Sequence, residues 1–370
     1  MTSMFTVLEC GLSSALGAGV DATHASLEEE KSALFRYETF IGSDFQPQLC
    51  AFRQKDRIGK LAYRLRELLH EATADLIARL AFRDEPLSAL SGRGAKLILI
   101  LPEVDESSGL DKASLAVVGR NLINDMSDSL SNRLGIVISE TVIRAAGHAG
   151  VGSAVADCLM EPSKERDNVV LIAAVDSYND RQRLNRLNDQ RRLFNQQNQF
   201  GFIPGEAAGI LLFRRETEVT PSLKVVGAGH RVEPVREYQE ADSVFNALSE
   251  AAFVATDLAF SGRREMSISA WIADWNNSRY RATELSFAIH RLNSACLKSD
   301  LLPVFPALQF GDVGAAYGCL AIALARSART FSLTFGSEHT NADTGYEELF
   351  LVSAGSIVSG LRSAMVLSRG

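Results

Sequence analysis

Residues 169–175 read VVLIAAV and carry no polar side chain. A strand with one face in water alternates apolar and polar residues, so an unbroken apolar run of this kind is typical of a strand covered on both faces. Such a strand lies inside a sheet that has helices on each side. The segment therefore restricts the chain to a layered α/β fold.

The rest of the chain supplies the alternation of strands and helices that this fold requires. Strands are predicted at 5–12, 95–105, 136–146, 205–213, 223–229 and 266–274, and helices at 21–35, 57–81, 111–133, 242–259, 284–297 and 311–328. No low-complexity linker interrupts the pattern. We divide the chain into an N-terminal half, residues 1–216, and a C-terminal half, residues 217–370, which form one compact unit.

Charge and composition exclude several classes of function. The net charge of −7 argues against a general nucleic-acid-binding protein, and no apolar run is long enough to span a membrane. The five cysteines are scattered and form no CxxC pair, and no glycine-rich phosphate-binding motif is present. We therefore expect a cytoplasmic protein with no metal and no cofactor, with neither nucleic acid nor membrane among its partners.

Six segments, in this order along the chain, resemble the thiolase-fold β-ketoacyl synthases, the condensing enzymes of fatty-acid and polyketide synthesis. They are residues 10–34, Asp56-Arg57 ahead of a helix, VVLIAAVDS at 169–177, GFIPGEAAGILLF at 201–213, GDVGAAYGCLAIALA at 311–325 and LFLVSAGSIVSGLRSAMVL at 349–367. The resemblance implies a thiolase-like five-layer α/β/α/β/α fold made of two related halves.

The same resemblance locates the catalytic positions, which the family fills with a cysteine nucleophile and two histidines. Counting back from Asp176 places the nucleophile on His148, and the second histidine is replaced by Asp312. The first histidine, which follows a strand, is replaced by Asp274 or Trp275, with a register uncertain by a residue or two.

The chain is thus identified as a degenerate member that lacks the Cys-His-His triad, with vestigial residues at these positions. We expect a catalytically inactive ketosynthase-like protein, a pseudoenzyme that acts as a binding, scaffold or adaptor subunit.

A second interpretation stays open, in which His148 and Asp312 serve an acyltransferase or hydrolase of altered mechanism on acyl thioesters. That enzyme needs the two side chains within hydrogen-bond reach and an open tunnel leading to them. In the condensation reaction, an ionised Asp312 would repel the enolate oxygen, and only a protonated Asp312 with a strongly raised pKa would donate a hydrogen bond to it. The scaffold interpretation instead predicts a filled tunnel and an exposed docking surface.

Residues 181–200, the arginine segment, are strongly basic in an otherwise acidic chain. Asp189 is their one acid, against Arg181, Arg183, Arg186, Arg191 and Arg192. One interpretation is a docking patch for an acidic partner such as an acyl carrier protein; the other is a solvated helix face or loop.

The resemblance also implies pairing of two protomers through the strand at 169–175. We expect a homodimer, or a heterodimer with a ketosynthase-like subunit. The pairing strand would include Val169, Val170, Leu171, Ile172 and Ala173.

Overall fold

The computed structural model describes residues 4–81, 94–161, 169–216, 222–237, 239, 241–261, 266–293, 295–298, 301–327 and 348–369. Within these ranges no helix has the length and apolarity to span a bilayer. Residue 217, where we divide the chain, lies outside them, so the division into halves stays a prediction.

Twelve strands and nine α-helices are found in the described part of the chain. The strands are β1 (Met4–Ser14), β2 (Gly17–Ala18), β3 (Phe35–Ile41), β4 (Pro47–Cys50), β5 (Gly94–Leu101), β6 (Val137–Ala145), β7 (Val169–Ser177), β8 (Glu206–Glu216), β9 (Lys224–Val232), β10 (Ala270–Ala273), β11 (Glu348–Gly355) and β12 (Leu361–Arg369). The helices are α1 (Val20–Glu28), α2 (Leu61–Ala81), α3 (Lys112–Leu134), α4 (Gly150–Met160), α5 (Arg181–Asp189), α6 (Ala247–Phe260), α7 (Arg279–Asn293), α8 (Ala307–Phe310) and α9 (Tyr317–Arg326).

The main sheet has two groups of strands that meet along β1. Its hydrogen-bonded order is β10-β11-β12-β9-β1-β8-β7-β5-β6. β1 pairs with β8 along its length, whereas it meets β9 at only two residue pairs, Phe5 with Val225 and Thr6 with Lys224. The two groups are therefore held together mainly by packing, not by backbone hydrogen bonds.

Three apolar cores define the layers. The first packs α4 and α9 between the two strand groups, and includes side chains of β1, β7, β9 and β12. The second lies under α2 and α3, on the other face of β5 and β7. The third lies under α6 and α7, on the other face of β11 and β12. The order α, β, α, β, α confirms the predicted five-layer fold.

The predicted pairing strand is wrong. β7 pairs with β5 on one side, from Val169 to Ala174, and with β8 on the other, from Val169 to Ser177. Val169, Val170, Leu171, Ile172 and Ala173 are all buried, and both edges of their strand are already hydrogen-bonded within the chain. The apolar run reflects burial inside the sheet, so it carries no information about a second protomer.

The free edge of this end of the sheet is β6. It pairs only with β5, in parallel, and its other edge has no strand beside it among the described residues. Most of its side chains are exposed or half-buried, including Val137 (53%) and Ile143 (37%). β6 is therefore the strand with unpaired backbone groups available to another chain.

The segment from 35 to 50 forms a small hairpin, β3–β4, that the sequence patterns did not predict. Tyr37 of β3 packs edge to face against Phe52, two residues after β4, in a separate core that also contains Leu184 and Leu187 of α5. This small core attaches the hairpin to α5, so the arginine segment lies against the hairpin and not free in solution.

Glu206, at the start of β8, organises the loops near the site. Its carboxylate accepts two hydrogen bonds from the buried guanidinium of Arg64, at 2.6 and 3.2 Å. It also accepts from the Ser177 hydroxyl at 2.6 Å and the Arg53 backbone N–H at 2.7 Å. A fully buried carboxylate with this set of partners is structural.

Candidate active site at the start of helices α4 and α9

His148 lies where β6 turns into α4. The chain leaves β6 at Ala145 and makes a short 3-10 turn over Gly147–Ala149. Gly147 has a φ of +60°, and a β-carbon there would lie 2.6 Å from Cγ of Glu103. This turn directs the His148 imidazole inward, where only 6% of the residue is exposed.

Asp312 lies at the equivalent point of the C-terminal half, just before α9. Backbone hydrogen bonds to Ile203 (2.7 Å) and Gly205 (2.9 Å) fix its position. His148 Nε2 lies 2.7 Å from Asp312 Oδ1, and both side chains are buried. The structure thus brings together two of the residues predicted from the sequence, one from each half.

The carboxylate of Asp312 has three further donors. The Gly314 N–H (2.9 Å) and the Tyr178 hydroxyl (3.4 Å) donate to Oδ1, and the Asn276 amide donates to Oδ2. Burial alone would raise the pKa of Asp312, but the charge and hydrogen bond of His148, the charge of Arg281 and the hydrogen bond of Asn276 hold it below its usual range.

Asp312 is therefore an ionised acceptor near neutral pH, and the raised pKa that a protonated, donating Asp312 would require is not found. Because an ionised carboxylate has no hydrogen to give, Nε2 of His148 must carry the proton that they share.

The predicted substitutes for the first histidine make other hydrogen bonds, not bonds to His148 or Asp312. Asp274 binds Arg281 at 3.0 Å and the Gly355 N–H at 2.7 Å. Trp275 donates to the Ser278 carbonyl at 3.0 Å, and its ring packs against Phe305. The residue that touches Asp312 is Asn276, one position beyond the predicted range.

Arg183 is not a docking residue, contrary to the sequence prediction. It is 6% exposed, and its guanidinium binds Asp176 at 2.6 Å and stacks 3.9 Å from the ring of Tyr178. Asp176 also accepts from the Ala315 N–H at 3.1 Å, in the turn that follows Asp312. Arg183 thus supports the site from behind.

Two of the other arginines of the segment are engaged in contacts within the chain, and two are exposed. Arg192 is 10% exposed and pairs with Asp105 at 3.3 Å, which excludes it from the predicted patch. Arg186 is half-buried and donates to the Glu106 carbonyl at 2.7 Å. Arg181 and Arg191 are exposed.

The space at the pair is small. Two cavities lined by His148 have volumes of about 30 Å³ and about 10 Å³. A single water needs roughly 10–15 Å³ on this measure, and ligand sites are typically about 300–1,000 Å³. A larger groove of about 910 Å³ lies between α2 and α3, but His148, Asp274, Trp275 and Asp312 do not line it.

Backbone donors that could stabilise an oxyanion beside His148 are already used. The Ala149 N–H donates to the Ser356 hydroxyl at 3.0 Å. The Glu103 carboxylate accepts from the N–H groups of Ile357 (2.8 Å), Val358 (3.0 Å) and Ser359 (2.8 Å). The chain's own carboxylate therefore fills the anion-binding turn nearest the site.

No thiol replaces the missing nucleophile. All five cysteines are buried. Burial raises the pKa of Cys158, the one on α4, to about 11, so it is protonated near neutral pH. The described residues also contain no group of three or more metal-ligating side chains.

Comparison with known proteins gives matches in structure only. No protein-family profile matches the chain, and no curated protein sequence matches it. A ketosynthase from module 6 of the bacillaene synthase of Bacillus subtilis 168 superposes with a TM-score of 0.71 at 14% identity, over 99% of this chain and 72% of that one.

Two further solved structures cover this chain completely. One is a type II polyketide acyl-carrier protein in complex with its ketosynthase (TM-score 0.70, 13% identity, 100% of that chain). The other is a ketosynthase in complex with its chain length factor from Xenorhabdus doucetiae (0.66, 13%, 98%). The chain therefore has the thiolase-like fold of the ketosynthases and chain length factors.

Proposed function

We propose that this chain is a catalytically inactive ketosynthase-like subunit that works as an adaptor or scaffold by binding other proteins. The observation that carries the proposal is the buried His148–Asp312 hydrogen bond of 2.7 Å at the position of the family's nucleophile.

Three physical arguments support inactivity. Condensation needs a nucleophile that holds the acyl chain, and an imidazole with Nε2 committed to a carboxylate is a poor substitute. It also needs donors for a developing enolate, whereas an ionised Asp312 would repel that charge by about 4 kcal/mol at ~4 Å and an effective dielectric of about 20. Finally, the cavities beside His148 hold water-sized volumes.

Partners are proposed from the exposed surfaces. The free edge of β6 would pair with a second subunit, either another copy or a ketosynthase-like protein, because an unpaired edge accepts an added strand. Arg181 and Arg191 would face an acidic partner such as an acyl carrier protein. Both classes of partner occur in the structural neighbours, which include carrier-protein and chain-length-factor complexes. We place this assembly in the cytoplasm.

The alternative is an acyltransferase or hydrolase that uses His148 and Asp312. The hydrogen bond between His148 and Asp312 favours this alternative, since a base oriented by a carboxylate supplies two of the three members of a catalytic triad. The nearby Ser153 hydroxyl, however, donates to the Gly150 carbonyl at 3.0 Å, which leaves the base without a nucleophile beside it.

Intact-protein mass spectrometry separates the two functions. The purified protein is incubated with acyl-CoA and with acylated carrier protein, and His148→Ala and Cys158→Ala serve as controls. The scaffold proposal expects no acyl adduct and no thioester hydrolysis above the His148→Ala background. A stoichiometric adduct, or turnover that His148→Ala abolishes, would instead establish the enzyme.

A further inference from the structure

The tip of the β3–β4 hairpin presents an aromatic side chain in an unfavourable backbone conformation. Phe45 has a φ of +61° and is 84% exposed. The turn is closed by hydrogen bonds from Phe45 N–H to the Gly42 carbonyl (3.0 Å) and from Gly42 N–H to the Gln46 carbonyl (2.9 Å). Glycine and asparagine suit this left-handed position, so neither the turn nor burial explains a phenylalanine there.

The tip is held rigidly by the arginine segment. The Ser43 N–H donates to Asn188 Oδ1 at 2.9 Å, and the Asn195 amide donates to the Ser43 hydroxyl at 3.1 Å. The Gln196 N–H donates to Asp44 at 3.2 Å. An exposed aromatic ring on a braced turn loses little entropy on binding, which is the property of an interface anchor.

The surface around the tip carries apolar and basic groups, together with the exposed acids Glu38 and Asp189. Asp44, the acid of the tip itself, already accepts from the Gln46 N–H at 3.2 Å. Ile41, at the end of β3, is 52% exposed. Arg181 reaches the same strand through a hydrogen bond to the Thr39 carbonyl at 3.3 Å. Arg191 is exposed, three residues after the Asn188 that braces the turn, and itself has a φ of +54°. Two strained exposed residues thus lie on one braced surface.

We propose that this hairpin tip, residues 41–46, anchors the docking surface for the acidic partner. The Phe45 ring enters an apolar depression of the partner, and Arg181 and Arg191 pair with carboxylates at its rim. Charge complementarity selects an acidic partner, because these two guanidiniums have no carboxylate ion pair among the described residues. The inference rests on the proposed function, since it names the surface by which the subunit holds a partner.

The test uses a fluorescently labelled acyl carrier protein as the probe, with binding followed by anisotropy against the full chain. Phe45→Gly and Phe45→Asn remove the ring while relieving the backbone conformation. Met160→Gln, at an apolar side chain that is 79% exposed at the end of α4, is the matched control. We expect both Phe45 variants to bind about tenfold more weakly or worse, with melting temperatures at or above that of the wild type, and the control to bind like the wild type.

Each other outcome overturns the inference in a distinguishable way. Equal affinity of Phe45→Gly and wild type means that the tip does not anchor the partner, while the adaptor function stands. Variants that melt well below the wild type assign Phe45 a structural role. If the wild type pairs with a ketosynthase subunit but not with the carrier protein, the docking surface is wrong and the scaffold survives. If the wild type binds neither the ketosynthase subunit nor the carrier protein, both proposals are overturned.

Discussion

His148 and Asp312 are parts of a buried network of ion pairs. Beside them lie Asp176 with Arg183 and Asp274 with Arg281, each pair joined at 3.0 Å or less. A buried charge without a partner destabilises the folded protein. Replacing one member of a pair is therefore unfavourable because it leaves the other member unpaired. The ion pairs among these residues account for the burial of their charges, without reference to a reaction.

Asp312→Asn should lower the free energy of unfolding by roughly 3 kcal/mol at pH 7, because it removes the buried anion to which His148 and Asn276 are hydrogen-bonded. The pKa of Asp312 is lowered in the folded state, so its stabilisation is fully present above the ordinary carboxyl range. It is lost as the pH falls through the lowered folded value.

Urea titrations of both proteins at neutral and acidic pH measure this difference. The difference in unfolding free energy should narrow as the pH falls below 3.8, the ordinary pKa of an aspartate carboxyl group. Asp125→Asn, in the exposed pair with Arg66, is the control and should cost less than about 1 kcal/mol. A gap that widens in acid would contradict the assignment of Asp312 as ionised.

Gly314→Ala should destabilise the protein by about 2–4 kcal/mol, since the added carbon would lie 1.9 Å from Oδ2 of Asp176 at a φ of +52°. Gly109→Ala, with a φ of +90° but no neighbour nearer than 3.5 Å, isolates the cost of the conformation alone. Thermal unfolding compares the two. Equal losses would show that Asp176 moves aside freely.

Turns and helix starts, not whole helices, shape the site. The turn at 356–359 is fixed by one carboxylate, Glu103, from the loop after β5. It lies against the start of α4 through Ser356, whose hydroxyl donates to the Ala146 carbonyl at 2.6 Å. The site is therefore closed by contacts between loops of the two halves.

Glu103→Gln should loosen that turn, because the amide presents a donor where three N–H groups need an acceptor. A loss of about 2 kcal/mol of local stability is expected, with faster hydrogen exchange at Ile357–Ser359. Glu106→Gln, on the same loop, should leave exchange there unchanged. Protection that survives Glu103→Gln would mean that the turn is held by other contacts.

The sequence predicted elements with strong periodicity and missed those fixed by tertiary contacts. The amphipathic pattern placed α2 within four residues of its start and correctly at its end, since one face covers the sheet. The β3–β4 hairpin was missed because its apolar side chains pack against α5, a long-range contact without a local pattern.

Site residues were predictable where a motif in the sequence could be aligned with the family's motif without a shift. Asp312 belongs to a glycine motif, and the structure brings it together with His148, which the resemblance also located. Asn276 was missed by one position because its loop offers no such motif, although the polar run WNNS directly after a strand was a usable signal. The burial of Arg183 could not be inferred, since five arginines in one segment look alike until they are packed.

At the scale of the whole molecule, the exposed edge of β6 is the surface through which we propose that a second subunit pairs. Its parallel partner β5 satisfies one side only, and its outer residues include the exposed Val137 and Thr141. From Glu140 to Ala145, beyond the register shift at Ser139, β6 pairs regularly with β5, and a regular exposed edge of this kind invites pairing with another chain.

Thr141→Lys should weaken self-association or pairing with a ketosynthase-like subunit at least tenfold, because a charge on a strand edge opposes strand addition. Light scattering after size exclusion gives the mass as a function of concentration. Thr283→Lys, on the exposed face of α7, is the control. An assembly that resists Thr141→Lys would place its interface elsewhere.

The pair His148–Asp312 joins the two halves across the middle of the molecule, where β1 and β9 share only two residue pairs. A histidine and an aspartate at these positions therefore contribute to cohesion between the halves, independently of any reaction. Their preservation in an alignment of relatives is expected from folding alone. It would not by itself indicate turnover.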